Sequence, residues 1–206
     1  MAMDHPSLQQ EQHKQFRKRL RSYLKTDILP FTDDWERGRV FPLEALRTMG
    51  KQGFFGLSLS TERGGQGKDF WHEVILAEEV GRSMPPGLAV SVLAFSNMAI
   101  PFLHDLGNDQ QHTDILLPAI EGNVLLAFAA TETISGSDIN RLATTATLDH
   151  ARDEYVITGE KRYITNGSFA DYIITFVRTK GSTGPWSYSL LIIPADAPGV
   201  VRERVQ

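Results

Sequence analysis

The pattern of apolar and polar positions changes near residue 123. Before that point, apolar residues recur at intervals of three and four, as on one face of an α-helix. After it, short segments rich in β-branched and aromatic residues alternate apolar with polar positions, as strands do. We therefore predict an α+β chain, with an N-terminal all-α helical bundle at residues 1–123 and a β domain at residues 124–206.

Two helices are predicted at the start of the chain. The first has an apolar face and should end at Pro30, while the second begins at Pro42, a favoured first-turn residue. The face of the first helix comprises Leu8, Phe16, Leu20, Tyr23, Leu24 and Ile28.

Three further helices follow. Asp69 is a candidate N-cap for a helix that Gly81 should close. Residues 87–106 are apolar around the whole circumference, which predicts a helix buried in the bundle. Asn108 and Gln111 have the spacing of a capping box and should begin another helix.

The second half contains five candidate strands separated by turn signals at residues 158–161 and 166–167. Strands in series, without intervening helices, do not predict a parallel sheet, so we expect an antiparallel barrel or sandwich. The candidates are residues 144–149, 155–158, 162–165, 172–177 and 189–193.

Composition excludes several classes of function. The chain has no cysteine, which excludes disulfides and cysteine nucleophiles, and its six histidines show no ligand spacing, which makes a metal site improbable. The net charge is -4, and one basic cluster between Arg17 and Arg21 is most simply a solvated helix face, so nucleic acid is not expected as a partner. We see no apolar run that approaches the ~18 residues of a membrane span and no signal peptide. We expect a cytoplasmic protein without a membrane partner.

Two segments suggest a binding site. Residues 131–138 read Thr-Glu-Thr-Ile-Ser-Gly-Ser-Asp, and residues 161–167 read Lys-Arg-Tyr-Ile-Thr-Asn-Gly. Each places a threonine beside small residues at a predicted strand edge, where hydroxyls and backbone N–H groups can reach a flat polar ring. Taken singly, either threonine is more simply an ordinary strand residue.

Together the two segments resemble the acyl-CoA dehydrogenase family. Its middle domain carries Thr-Glu-Pro-x-Ala-Gly-Ser-Asp and, after a hairpin, Lys-x-Trp-Ile-Thr-Asn-Gly. Residues 53–57, 64–67 and 78–81 also resemble family segments, in the expected order, so the resemblance covers nearly the whole chain.

The resemblance implies FAD as the cofactor and an acyl thioester as the substrate, which would be oxidised to the trans-2-enoyl thioester. It implies that Thr131 binds the pyrimidine edge of the flavin, that Thr165 lies near the N5 and O4 edge, and that Ser137 contacts the substrate. The cofactor-binding residues that it implies are Phe128, Ala129, Ala130, Thr131, Gly136, Ser137, Tyr163, Ile164 and Thr165.

The chain departs from the family pattern in three respects. Thr133 stands where the family has proline, and Tyr163 stands where it has tryptophan. The resemblance also implies that the β domain is incomplete at Gln206 and that a C-terminal helical domain, which carries the catalytic glutamate, is absent. We therefore assign no catalytic residue in this chain.

The resemblance further implies an acceptor like electron-transfer flavoprotein, and a homo-oligomer or a second chain that completes the fold. Two other functions stay open: a non-catalytic module that binds acyl thioesters or takes part in interactions, and a flavin oxidase or monooxygenase.

Overall fold

The computed structural model describes residues 10–39, 42–179 and 187–204. The chain forms two compact units, Met1–Val124 and Leu125–Gln206. Helices fill the first unit and a sheet forms the second, which confirms the predicted order of a helical part followed by a β part.

The described α-helices all lie in the first unit, and a 3-10 turn at Ile139–Arg141 lies in the second. Leu8, which the sequence placed on the first helix, lies outside the described residues. The helices are α1 (Glu11–Tyr23), α2 (Thr32–Gly38), α3 (Leu43–Lys51), α4 (Phe70–Ser83), α5 (Pro86–Ala94), α6 (Ile100–Leu106), α7 (Asp109–Gln111) and α8 (Leu117–Ile120). Short π-helical segments extend or join them at Leu24–Ile28, Phe95–Ala99 and His112–Leu116, and 3-10 turns lie at Leu29–Phe31 and Thr61–Arg63.

The helical unit packs around a set of fully buried apolar side chains. Phe54 and Phe55 come from the segment after α3, and Leu20, Met49 and Ile75 come from α1, α3 and α4. Aromatic rings meet edge to face in this core. The ring centroids of Phe55 and Phe95 lie 5.0 Å apart, and the interplanar angle is 83°. Such pairs add to the stability that apolar burial itself supplies.

The basic cluster of α1 is not simply a solvated face, which corrects that part of the interpretation. Arg17 and Arg21 reach the carboxylate of Glu79 on α4, which is fully buried, and Arg82 binds it from the following turn. Burial raises the pKa of Glu79, but the hydrogen bonds from Arg21, Arg17 and Arg82 outweigh it and leave the pKa lowered. These ion pairs join α1 to α4.

The helix predicted at residues 87–106 is present as α5, a π-helical turn and α6. Among the described residues, Pro86–Leu106 is the one helix long and apolar enough to cross a membrane. The apolar pattern of the sequence did not predict a run of this length. Half of this helix is buried inside the fold, as in a core helix, so this is weak evidence for a membrane span. The helix is also less buried than predicted, because Val90, Met98 and Leu106 are exposed.

The second unit contains a five-stranded sheet in the order β1-β4-β2-β3, with β5 paired to β4. Two of its four described pairings are parallel, β1 with β4 and β2 with β4, so the sheet is mixed and not purely antiparallel as expected. These described strands do not close into a barrel. The strands are β1 (Leu126–Ala129), β2 (Thr145–Asp149), β3 (Glu154–Thr158), β4 (Tyr172–Thr179) and β5 (Tyr188–Pro194).

Strand β4 pairs with three of the other described strands. Strand β1 pairs with it at Tyr172–Thr175, β2 pairs with its end at Arg178 and Thr179, and β5 pairs antiparallel from Tyr172 to Arg178. The parallel pairings bring together segments far apart in the chain. The end of β1 and the start of β2 therefore both lie beside β4, and residues 130–144 form the connection between them.

Candidate functional site

The first threonine segment begins where β1 leaves the sheet. Phe128 and Ala129 are the last residues of β1, and Ala130 and Thr131 continue beyond the strand in half-buried positions. The chain then makes a tight turn, in which Glu132 and Ser135 exchange backbone hydrogen bonds of 2.7 and 3.3 Å across Thr133 and Ile134. Gly136 and Ser137 follow in exposed positions.

The second threonine segment is a turn, which corrects the predicted strand at residues 162–165. Tyr163 has φ of 58° and Asn166 has φ of 66°, and left-handed conformations of this kind do not belong to a strand. Tyr163 is 69% exposed, while Ile164 and Thr165 are half-buried. The β-branched and aromatic composition of these residues gave the wrong signal.

The structure brings the two segments together. The backbone N–H of Arg162 donates to the carbonyl of Thr131 at 2.9 Å. The Nζ of Lys161 donates to the carbonyl of Ala130 at 3.2 Å. The main chain that carries Thr131 therefore lies directly against the main chain that leads to Tyr163 and Thr165.

A buried carboxylate holds this junction. Glu132 is 6% exposed, and its Oε1 accepts from Nζ of Lys161 at 2.9 Å and from the backbone N–H of Thr144 at 3.0 Å. Its Oε2 accepts from the backbone N–H of Ala143 at 2.7 Å, and the Thr144 hydroxyl also donates to Oε1. One carboxylate thus joins the loop after β1, the start of β2 and the turn after β3.

The charges of this pair follow from their surroundings. Burial raises the pKa of Glu132, but the hydrogen bonds from Lys161, Thr144 and Ala143 outweigh it and lower the pKa to about 2. Burial lowers the pKa of Lys161, and the Glu132 carboxylate counteracts that change only in part. Glu132 and Lys161 stand out in the sequence only as parts of the family motifs, since opposite charges 29 positions apart give no local signal of a contact.

Gly159 is required for the close approach of Thr144. A Cβ placed on Gly159 would lie 2.4 Å from Oγ1 of Thr144 and 2.7 Å from its Cα, which no relaxation of a flexible side chain can relieve. The glycine in the turn after β3 therefore lets the start of β2 reach it. This contact keeps Thr144 in position to donate to Glu132.

The residues implied by the resemblance leave donors free for a ligand. Within the described residues, the side-chain hydroxyls of Thr131, Ser137 and Thr165 make no hydrogen bond. A Cβ on Gly136 would meet no protein atom within 4 Å apart from its own chain neighbours, so the backbone there is open to approach from outside. Free hydroxyls and an open backbone, carried on two joined segments, fit a flat ring with acceptor atoms at its edge.

A separate polar cluster lies in the helical unit, where the histidines are less scattered than the sequence indicated. Nε2 of His13 lies 2.9 Å from both oxygens of Asp69, and Nδ1 of His72 lies 2.8 Å from Oδ1. Asp69 precedes α4 as predicted, but its side chain binds the two imidazoles and makes no capping hydrogen bond.

These three residues have the ligand types and proximity of a metal site, since their ligand atoms lie within 4.8 Å of one another. However, Nδ1 of His13 is buried without a hydrogen-bond partner. A histidine that binds a metal usually donates its other ring N–H to a partner. The geometry therefore fits a hydrogen-bonded triad, in which both imidazoles donate to Asp69, better than a metal centre.

Comparison with protein families assigns both units. The model described as the acyl-CoA dehydrogenase N-terminal domain matches residues 10–123, and the model of the middle domain matches residues 127–206. The chain belongs to the acyl-CoA dehydrogenase family. This confirms the resemblance read from the two threonine segments.

Relatives within this family are similar over almost the whole chain. A 3-(aryl)acrylate reductase of Clostridium sporogenes is 36% identical over 192 residues, which are 92% of this chain and 50% of that protein. An acyl-CoA dehydrogenase of Bacillus subtilis is 34% identical over 184 residues, 89% of this chain and 48% of that protein. The chain spans about half the length of these curated relatives.

Solved acyl-CoA dehydrogenase structures have the same fold. A putative acyl-CoA dehydrogenase of Mycobacterium smegmatis is 32% identical with a TM-score of 0.85, covering 94% of this chain and 50% of that one. An acyl-CoA dehydrogenase of Bacillus anthracis, solved in complex with FAD, is 28% identical with a TM-score of 0.84, covering 98% of this chain and 34% of that one.

Proposed function

We propose that this chain forms part of a flavin-dependent enzyme that transfers two electrons between FAD and the Cα–Cβ bond of an acyl thioester. The observation that carries the proposal is the junction of the two threonine segments, where Arg162 donates to Thr131. Both segments follow the family pattern at most positions, although Thr133 and Tyr163 depart from it, and both leave side-chain hydroxyls free. The Bacillus anthracis relative solved with FAD supports the same cofactor.

Each segment has a distinct part in this proposal. Thr131 and Thr165 hold their hydroxyls ready to donate to acceptor atoms of the flavin ring, and Tyr163 and Ile164 form one wall beside it. Gly136 lets the backbone approach the cofactor, and Ser137 contacts the thioester. The further cofactor contacts are with Phe128, Ala129 and Ala130 at the end of β1.

Donors at the ring edge matter because a reduced flavin carries more negative charge there. FAD, when bound, supplies the two-electron oxidation or reduction itself. The protein groups contribute preorganised dipoles, which stabilise charge more strongly in a dry site than in water. We assign the removal of the acyl proton to none of the described residues.

The direction of the reaction is a second question, and one observation favours reduction. The 36% identical relative is named a 3-(aryl)acrylate reductase, and a 31% identical relative from Anaerotignum propionicum is named an acryloyl-CoA reductase that uses NADH. Dehydrogenation of a saturated thioester and reduction of a 2-enoyl thioester share one flavin site. We propose dehydrogenation of the saturated thioester as the main function and reduction of the 2-enoyl thioester as the alternative.

Anaerobic spectroscopy of the intact protein tests the function. The purified protein should contain FAD, and a saturated acyl thioester should bleach the flavin absorbance under anaerobic conditions. If a 2-enoyl thioester instead reoxidises the chemically reduced protein and saturated thioesters bleach nothing, reduction is the function. A protein that neither contains nor takes up FAD would refute both.

The same experiment covers the other functions. Binding of acyl thioesters without any bleaching would indicate a non-catalytic module, and rapid reoxidation by air would indicate an oxidase or monooxygenase. A 26% identical fold neighbour from Acidaminococcus fermentans is named an electron transferring flavoprotein, and an acceptor of that type is part of the proposal. A homo-oligomer or a completing second chain, and a cytoplasmic location, belong to the proposal as well.

A further inference from the structure

We propose that Glu132 and Lys161 are a positioning pair that fixes the separation of the two threonine segments and thereby sets the affinity for the flavin. The identity of the ligand rests on the proposed function. The pair itself follows from the contacts of these two side chains, and neither residue needs to touch the cofactor.

The hydrogen bonds of the Glu132 carboxylate join several segments of the chain. Four donors meet on the Glu132 carboxylate, from Ala143, Thr144 and Lys161, and they belong to segments that are separate in the chain. A carboxylate with two oxygens can accept all of these hydrogen bonds, whereas a neutral side chain of the same size cannot. The site therefore specifically requires an ionised acid at position 132.

Lys161 and the residue after it contact the main chain around Thr131. Lys161 binds both the Glu132 side chain and the carbonyl of Ala130, which are the neighbours of Thr131 on either side. The next residue, Arg162, donates its backbone N–H to Thr131. Tyr163 follows at once, in a left-handed conformation that its neighbours must hold in place.

Both side chains of the pair are buried. The side chain of Glu132 is 3% exposed and that of Lys161 is 10% exposed, and their polar atoms bind one another and the backbone. The Lys161 ammonium keeps one N–H beyond these two hydrogen bonds, but little of either side chain is exposed to a ligand. Their effect on FAD must therefore pass through the backbone of Thr131 and of residues 162–165.

Removal of either partner should loosen this junction. In E132Q the amide has one acceptor oxygen, so one of the two backbone N–H groups of Ala143 and Thr144 faces an amide N–H. K161M removes the ammonium that links Glu132 to Ala130. Misplacement of positioned donors by a fraction of an ångström is costly, and we expect the Kd for FAD to rise about 10-fold or more in each variant.

The test is a fluorescence titration of the apo form of the intact protein with FAD. It is run below the melting temperature of every variant, with folding checked by circular dichroism. E154Q is the matched control, because Glu154 is an exposed glutamate on β3 of the same sheet. The double variant E132Q/K161M should bind FAD no more weakly than the weaker single variant, since both changes remove one linkage.

The outcomes separate this inference from the proposed function. Kd values of folded E132Q and K161M within twofold of the unmodified protein would overturn the positioning role, because a purely structural pair would change only the melting temperature. If the unmodified protein binds no FAD, the proposed function and the effect on flavin affinity both fail, and hydrogen exchange decides whether the pair holds the two segments together. The Arg162 amide should exchange at least 10-fold faster in K161M than in E154Q, and equal rates would overturn the role.

Discussion

At the scale of single residues, Glu132 should make the free energy of unfolding depend on pH in the acidic range. Its pKa is about 2 in the folded chain against an ordinary value of 4.5. A depressed carboxyl pKa stabilises the fold fully above the unfolded value, and this stabilisation is lost as pH falls from about 4.5 toward 2. The difference corresponds to about 3 kcal/mol.

Urea unfolding at pH 6 and at pH 3 measures this contribution. The unmodified protein should lose about 2 kcal/mol more than E132Q between these values, because E132Q has no proton to take up at this position. E154Q should behave like the unmodified protein. Equal losses in E132Q and the unmodified protein would show that Glu132 has an ordinary pKa.

The residues themselves differ in how far the sequence reveals them. Thr131, Ser137 and Thr165 could be singled out because each stands inside a contiguous motif. The Glu132–Lys161 contact could not be predicted from spacing, because it depends on how β3 returns the chain to the loop after β1. The contact of His13 with Asp69 and His72 was missed for the same reason, since 56 positions separate His13 from Asp69.

At the scale of elements, the capping box before α7 gives a local prediction. Oδ1 of Asn108 accepts from the backbone N–H of Gln111 at 2.9 Å, and Oε1 of Gln111 accepts from the backbone N–H of Asn108 at 3.0 Å. N108A leaves a helix-end donor without this partner and should cost about 1 kcal/mol of unfolding free energy. Thermal and urea unfolding measure it.

The control for this change is N123A. Asn123 is also exposed, but among the described residues its side chain binds only the exposed Glu121, at 3.1 Å. We expect that variant to lose no more than about 0.5 kcal/mol. If N108A and N123A were equally stable, the capping box would contribute nothing.

The elements show why local signals succeed and long-range ones fail. The capping box was predicted correctly because all of its atoms lie within four residues. The parallel pairing of β1 with β4 was not predicted, since partners such as Phe128 and Ile174 are 46 positions apart. The turn at residues 162–165 was taken for a strand because composition reports side-chain preference, whereas the left-handed φ of Tyr163 is imposed by its surroundings.

At the scale of the whole molecule, the proposed cofactor contacts all belong to the unit Leu125–Gln206. A ligand that binds only the native state stabilises it by mass action, by about 2.7 kcal/mol when its concentration is 100 times Kd. The amides of β4 should report this effect, because β4 pairs with β1, β2 and β5 and its central amides exchange through the larger openings of the fold. The function thus predicts a stability effect that needs no turnover.

Hydrogen exchange of the intact apo protein with and without FAD measures it. At FAD concentrations 100 times Kd, the slowest amides of β4 should exchange about 100-fold more slowly. NAD at the same concentration is the control, because it is a dinucleotide of similar size that lacks the flavin ring, and it should leave the rates unchanged. Equal slowing by NAD would mean that the unit recognises only the shared dinucleotide part, and the free hydroxyls of Thr131 and Thr165 would then have no role in selecting a flavin.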